Sequence, residues 1–530
     1  MKIKNRFLSK LDFTYFYKKT NEMRPLTLLL FIGILLSICA CRSDFESVAS
    51  TGDLAFSKDT IYLDTVFANI GSSTYRLKVY NHSKNDITIP TIKLGKGLSS
   101  KYRMTVDGMQ GTNGKIFSNV DLLAKDSLYI FIETTATIAD TNPTDFLYTD
   151  QIQFDSGENS QKVELVTLIQ DAVFLYPKRF EDGTTETLPI GEEKIDGFYL
   201  DENDAVNGNE LHFKNTKPYV IYGYAAVPSG KTAIFDAGAR VHFHANSGLI
   251  VSNNASIHIN GSASTTDKLE NEVIFEGDRL EPEYSDVPGQ WGAIWLTNGS
   301  TNNQLNHATI KNGTIGLLIQ NNDGTTTTIK NTQIYNSANY GILAQTAKIN
   351  GGNMVVNNAG QASLACVYGG NYNFTHCTFN NNWNSSEQVA VLLSNYILGA
   401  VPEVKDLTEA TFNNCIIYGS YSNEMILNKK TSAAFAYQFN NCLLKFDNST
   451  NQFTTNPDYQ FETDATHYNA IILNKDPKFL KVSLNKFNID STSAAVAKGN
   501  SAYLIPLDIM GNMRTLPPDL GAYQNKPFPK

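Results

Sequence analysis

Seven-residue pieces with matching ends recur through the C-terminal half of the chain, and they restrict its fold more than any other feature. Asn306–Asn312 reads NHATIKN and Lys330–Asn336 reads KNTQIYN. Phe374–Asn380 (FTHCTFN), Phe412–Tyr418 (FNNCIIY) and Phe439–Lys445 (FNNCLLK) follow. Aligning Ala308, Thr332, Asn353, Cys377, Cys415 and Cys442 gives steps of 24, 21, 24, 38 and 27 residues. A period in the low twenties has room for short strands and turns but not for helices, and it suits one coil of a solenoid of parallel strands. The longer steps are then loops inserted on one edge. Leucine-rich repeats are the main rival, but the leucines are too few. Asn supplies 20 of the 88 residues from Asn298 to Ser385. At turns it tolerates left-handed backbone geometry, and stacked on successive coils it can bond its equivalents above and below.

The solenoid pattern starts near Leu211, with short runs at Val220-Ile221, Val241–Phe243, Leu249–Val251, Ile257–Ile259 and Val273–Phe275. Three pieces are similar to the right-handed parallel β-helix family in its bacterial exported form: Thr232–Phe243 (TAIFDAGARVHF), Gly289–Leu296 (GQWGAIWL), and Asp508–Arg514 with Asp519–Gln524. The last pair resembles the D-x-x-G-x-x-R…D-I-G-A-Y-E close of cell-surface β-helix proteins, with Leu520 and Gln524 as departures. The resemblance implies a right-handed β-helix over residues 206–490 and a capping segment over 491–530. In it Asp508, Arg514 and Asp519 tie down the last coil.

Residues 53–175 read differently. Alternating apolar runs at Thr60–Phe67, Tyr75–Tyr80, Ile87–Ile92, Ser127–Glu133, Gln151–Phe154 and Lys162–Ile169 are broken by turn residues, which predicts a β-sandwich of about seven strands. It resembles the immunoglobulin-like sandwiches at the front of surface lipoproteins. Residues 176–205 form the linker and entry. The fold class is therefore all-β: an Ig-like sandwich, then a β-helix.

The leader fixes the compartment. Leu26–Ile38 (LTLLLFIGILLSI) is short for a membrane span, follows Arg24 and precedes small residues, so it reads as a signal peptide over 1–40. Ile38–Cys41 resembles a bacterial lipobox, which implies cleavage before Cys41 and its acylation, with residues 41–52 as a tether. Met23 offers a second possible start. Arg42 rather than Asp follows the lipidated Cys, and Asp44 and Glu46 lie close behind. This is similar to the surface-export signals of Bacteroidota lipoproteins and implies an outer-membrane, surface-facing location. The formal charge is −9. Without residues 1–40 the count is 36 basic and 50 acidic residues, a net −14. Such a charge argues against a nucleic-acid partner.

Chemistry is sparse. The hydrolase and lyase activities known for β-helices need paired carboxylates, or clustered acids with a cationic base. From Leu305 to Asn382 the one acid is Asp323. The acids left for such an enzyme are Asp278, Glu281, Glu283 and Asp286; Asp201–Asp204 reads as a solvated turn rather than a calcium loop. No C-x-x-C pair is present, and Cys366, Cys377, Cys415 and Cys442 are expected as small buried apolar side chains. His242, His244 and His258 form a weak metal ladder at most, and no metal or cofactor is expected. Trp291 and Trp295 share a parity on a strand whose Ile294 and Leu296 point inward. With Trp383 they are the candidate ligand-stacking residues. Thr60, Thr65 and Ser127 follow aspartates and resemble Bacteroidota O-glycosylation sites.

Together these features predict a non-catalytic outer-membrane lipoprotein that acts as a binding or scaffold subunit of an envelope import, secretion or assembly complex. Its partners are then the membrane, through the lipid, and outer-membrane proteins. A glycan-binding surface protein is the alternative, and a polysaccharide lyase or glycoside hydrolase the second alternative.

Overall fold

A computed structural model describes residues 47–155, 157–191, 193–399 and 402–528. Cys41, the expected signal peptide and the start of the expected tether lie outside them. The protein is all-β, 50% strand and 4% helical. It divides into two compact units: 47–63, 70–136 and 140–167 in one, and 64–69, 137–139 and 168 onward in the other.

The first unit is built on a six-stranded and a four-stranded sheet. All six expected runs are strands. Leu54–Phe56, Tyr102–Val106 and Ile116–Leu122 join them. Alternating burial marks the faces: Leu77 and Val79 on one strand, and Leu128, Ile130 and Ile132 on its partner, are all at most 3% exposed. The inner faces meet through Phe56 against Phe154, with ring centroids 4.7 Å apart, and Tyr102 against Tyr148 at 5.1 Å.

The second unit is a β-helix-like stack of parallel strands. One ladder has eleven strands and another seventeen, and the latter bends into two runs, so each coil presents three faces. The long strands Gly313–Lys330, Tyr340–Gly352 and Ala362–Thr375 carry the chain around that bend. The first rung of the eleven-stranded ladder pairs Val173–Leu175 with Tyr219–Ile221. The hairpin Thr187–Ile190 and Glu193–Tyr199, in the stretch expected to link the modules, joins the seventeen-stranded sheet.

Equivalent residues stack from coil to coil in the core. One buried column runs Ala225, Leu249, Ile294, Leu317, Ile342, Leu364, Val391 and Met425. A second includes Ile329, Gly351, Phe374, Phe412, Phe439 and Tyr468. Gly351 is required there, because a Cβ would meet Met354 Sδ at 2.5 Å and Phe374 at 2.7 Å.

The register corrects the repeat alignment. Thr332 is level with Met354, not Asn353, because Gln333 pairs with Val355. Asn353 falls one place earlier, in a corner column of residues with positive φ: His307 (48°), Asn331 (50°), Asn353 (50°), His376 (53°), Asn414 (53°) and Asn441 (51°). Only the position after this corner faces the core, where Cys377, Cys415 and Cys442 stack as free thiols at 0% exposure.

The C-terminal segment also departs from expectation. It does not close the last coil but runs along the outside of the eleven-stranded ladder. Phe487, Ile509 and Tyr523 pack on Tyr335 and Val355, and Ile489 and Leu520 pack on Ile416 and Leu443. Arg514 Nη2 donates to Asn353 Oδ1 (2.9 Å) and to the Gly521 carbonyl (3.0 Å). Asp508 and Asp519 accept backbone N–H groups within the segment itself, from Met510, Asn512 and Gln524 and from Ala497 and Asn525. The motif therefore folds a lateral strap. The last coils are covered instead by the ring cluster of Phe446, Phe453, Tyr459 and Phe461, with Tyr459 and Phe461 against the main core.

Candidate functional site

The three outer faces of the solenoid differ in chemistry. The strap covers one. A second carries the polar row His258, Gln304, Thr328, Asn350, Asn373, Thr411 and Gln438, one residue per rung. The third carries Ala226, Ile250, Trp295, Leu318, Leu343, Ala365, Leu392 and Ile426 at the equivalent position. Trp295, Leu318, Leu343, Leu392 and Ile426 on this apolar row are half-buried. Tyr340, Val367 and Leu392 pack beside Ala362, Ala365 and Val389 on the same face. A contiguous outward apolar row is the informative departure from an ordinary surface.

The row starts under a cover. In the hairpin of residues 187–199, Leu188 is 2% exposed and packs on Ala226 and Ile250, with Trp295 at the edge of the cluster. Tyr224 lies along the ladder beside it. Its ring occupies space that a Cβ on Gly248 or Gly292 would fill, which explains the glycine after Trp291. Burial pushes the Tyr224 phenol above its ordinary pKa.

A groove of about 530 Å³ follows, lined by Tyr199, Ile250, Asn253, Trp295, Asn298 and Asn321 among others. Tyr199 is 50% exposed. Trp295 Nε1 is buried and has no hydrogen-bond partner among the described residues. Asn253, Asn298 and Asn321 are level on successive rungs, two positions after the paired Val251, Leu296 and Ile319, and all three are exposed. Sequence reasoning missed this amide column. Its signal was present as LIVSN, IWLTN and LLIQN, three copies of an apolar triplet, a polar residue and Asn.

The three tryptophans separate. Trp291 is 1% exposed, stacks on Phe243 with centroids 4.4 Å apart, and donates Nε1–H to the Lys311 carbonyl at 2.9 Å. It has no face to offer a ligand. Parity failed because the register shifts between Ala293 and Ile294, which turns the start of the strand inward. Trp295 faces out as expected. Trp383 is half-buried in a loop, and its backbone N–H bonds the Asn381 side chain. Thr60 and Ser127 are half-buried on strands of the first unit, and Thr65 is half-buried farther along the strand Thr60–Phe67.

Most of the other titratable candidates hold structural partners. Among the described residues no three His, Cys, Asp or Glu side chains group as for a metal. His242 is 4% exposed and lies in the eleven-stranded ladder, whereas His258 lies in the seventeen-stranded one, so no common ladder exists. His244 Nδ1 is 2.7 Å from Asp278 Oδ2, and that hydrogen bond raises the imidazole pKa. Asp286 accepts from Asn336 at 3.2 Å, and Glu281 pairs with Arg279 at 3.1 Å.

No known protein family matches the chain, and no curated protein matches it. Solved structures match parts of it. The Escherichia coli chaperone DraB is 15% identical over 23% of this chain and 57% of its own, with a TM-score of 0.16. The chain thus spans just over half the length of that chaperone. A family 123 glycoside hydrolase from Clostridium perfringens is 7% identical over 23% of this chain and 30% of its own, TM-score 0.17. The PapD-like domain 7 of human CEP192 is 13% identical over 23% and 87%, TM-score 0.15. At these TM-scores the likenesses carry no argument.

Proposed function

We propose that the protein is a non-catalytic outer-membrane lipoprotein, held at the cell surface by an acylated Cys41, that serves as a binding or scaffold subunit of an envelope import, secretion or assembly complex. In this reading the first unit is an Ig-like spacer, and the second is a right-handed parallel β-helix whose apolar outer face seats a protein partner. The observation that carries it is the row Trp295, Leu318, Leu343, Leu392 and Ile426. One solenoid face is strapped and another is polar, but this one keeps half-buried large apolar side chains on five of six successive rungs, with Ala365 as the interruption. Desolvating such side chains against a partner contributes roughly 25 cal/mol per Å² of apolar surface removed from water. The enzyme reading has less to work with. Three of its four best acids, Asp278, Glu281 and Asp286, already serve His244, Arg279 and Asn336.

The test is purification of the tagged full-length protein from detergent-solubilised membranes. The expected result is co-purification with an integral outer-membrane protein, lost in a Leu343→Glu, Leu392→Glu double variant that still folds. Recovery of the wild-type protein alone would sink the subunit reading. Cys41→Ala tests the anchor separately: it should abolish fatty-acid labelling and release the protein from the membrane fraction.

The groove beside Trp295 favours the second reading, a glycan-binding surface protein.

A further inference from the structure

We infer that the groove beside the hairpin 187–199 is a binding site for an uncharged oligosaccharide that lies along the ladder and stacks on Trp295. This rests on the glycan-binding reading and names its ligand class; it does not depend on the subunit reading, which shares only Trp295 with the groove and is tested at Leu343 and Leu392.

Four observations converge. First, none of the described residues that line the groove is charged. The described lining therefore offers no charged side chain to pair with a phosphate, a uronate or a cation, and favours an uncharged ligand. Second, the groove combines an aromatic floor with amide walls. The Trp295 ring is half-exposed, and Tyr199 stands on the other side at 50% exposure. A flat ring accepts the C–H face of a pyranose. Third, the polar groups repeat at the ladder spacing. Asn253, Asn298 and Asn321 are level on three consecutive rungs, and rungs are about 4.8 Å apart. Each amide donates and accepts at once, which suits vicinal hydroxyls and not an apolar chain. A column of such groups parallel to the aromatic floor matches a polymer with repeated hydroxyls. Fourth, the groove continues past Tyr199 along Pro228, Ser252 and Asn254, again without a charged residue among those described, so the site is open-ended and takes an internal stretch of a chain.

A peptide is a poorer occupant. The one strand edge beside the groove, Thr187–Ile190, carries Pro189, which has no N–H to offer an added strand.

The experiment is isothermal titration of the full protein in detergent with cellohexaose, laminarihexaose, xylohexaose and maltohexaose, with hexagalacturonate as the charged control. Tryptophan fluorescence is recorded in parallel. The expected result is saturable binding of at least one neutral hexaose with a change in indole emission, and no binding of hexagalacturonate. Trp295→Ala should weaken binding by about tenfold or more, the loss of roughly 1.4 kcal/mol. Since Trp295 also packs on Ile250, a second variant guards against a folding defect. Asn298 is exposed, so Asn298→Ala should leave thermal unfolding unchanged and weaken binding severalfold. The inference is overturned if none of the four neutral hexaoses binds at millimolar concentration, if hexagalacturonate binds as tightly as they do, or if binding survives undiminished in both variants.

Discussion

Glu424 is a fully buried carboxyl (0% exposed) in the corner of a coil. Its oxygens accept the backbone N–H groups of Ala390 (2.9 Å) and Tyr421 (2.8 Å), yet desolvation dominates and pushes its pKa up to about 8. In the unfolded chain the same group ionises near its ordinary value of 4.5. Between those two values the folded state keeps a proton that the unfolded state has released. Stability therefore falls as pH rises through that interval, by at most about 1.4 kcal/mol per pH unit, and levels off above it. Urea unfolding of the wild type at pH 5, 6.5 and 8 should show this decline, and Glu424→Gln should flatten it; parallel declines in both proteins would refute the assignment. The asparagine corners allow a second test. Asn331 sits at φ 50°, donates to Asn306 at 2.9 Å and accepts from Asn353 at 3.0 Å. Asn331→Gly keeps the backbone and loses the bonds, whereas Asn331→Ala also takes on the left-handed penalty. The order of thermal stability should be wild type, then Gly, then Ala, with Ala lower than Gly by about 1 kcal/mol. Asn density in the sequence announced both the left-handed corners and the stacking. Which Asn occupies the corner was not legible: Asn353 and Met354 are adjacent, and only strand pairing separates the corner from the core-facing place after it.

At the scale of elements, the hairpin 187–199 shows how local reading runs out. Its residues include Glu, Lys and Pro and looked like a linker, because a hairpin that packs on one apolar stripe needs few apolar residues. Leu188 carries the contact with Ala226 and Ile250. Replacing a buried leucine by alanine costs about 2–5 kcal/mol. Here the loss falls on the outer face alone, since Ala225 and Leu249 hold the same strands from within. Leu188→Ala should therefore loosen the hairpin without unfolding the coils. By hydrogen exchange, amides of 187–199 should lose protection while those of 313–320 keep theirs; loss of protection throughout the solenoid would contradict this division. The same locality explains the tryptophan pair. Strict alternation assigned one face to Trp291 and Trp295, which holds for an unbroken strand. The register shift at Ala293 breaks the alternation, and no residue there signals it except the glycine that makes room for Tyr224.

For the second unit as a whole, the central question is cooperativity. A solenoid has contacts only between neighbouring coils, so its stability is close to a sum of rung and interface contributions, and long arrays can unfold piecemeal. The strap changes this. It reaches Asp267 through Lys486 (2.7 Å), Asn353 through Arg514, Thr378 through the Ala522 N–H (3.1 Å), Asn414 through Asn500 and Asn441 through the Lys498 carbonyl (3.1 Å). One segment thus touches coils that are otherwise linked only through intermediates, and its apolar side chains cover Tyr335, Val355, Ile416 and Leu443 together. Its closing motif was legible as a motif, but its site of action was not, because sequence does not reveal which of several equivalent rungs a returning segment will contact. The strap should convert local openings into one concerted transition for the unit. Truncation after Asn474 is expected to lower the denaturant midpoint of the solenoid and to broaden or split its transition, with a smaller slope for each step. Arg514→Ala, which removes the strap's bonds to Asn353 and to the Gly521 carbonyl, is expected to move the same transition part of the way. If the truncated protein instead unfolds in a single step as sharp as that of the intact chain, the rungs are coupled through their own interfaces and the strap serves only to cover that face.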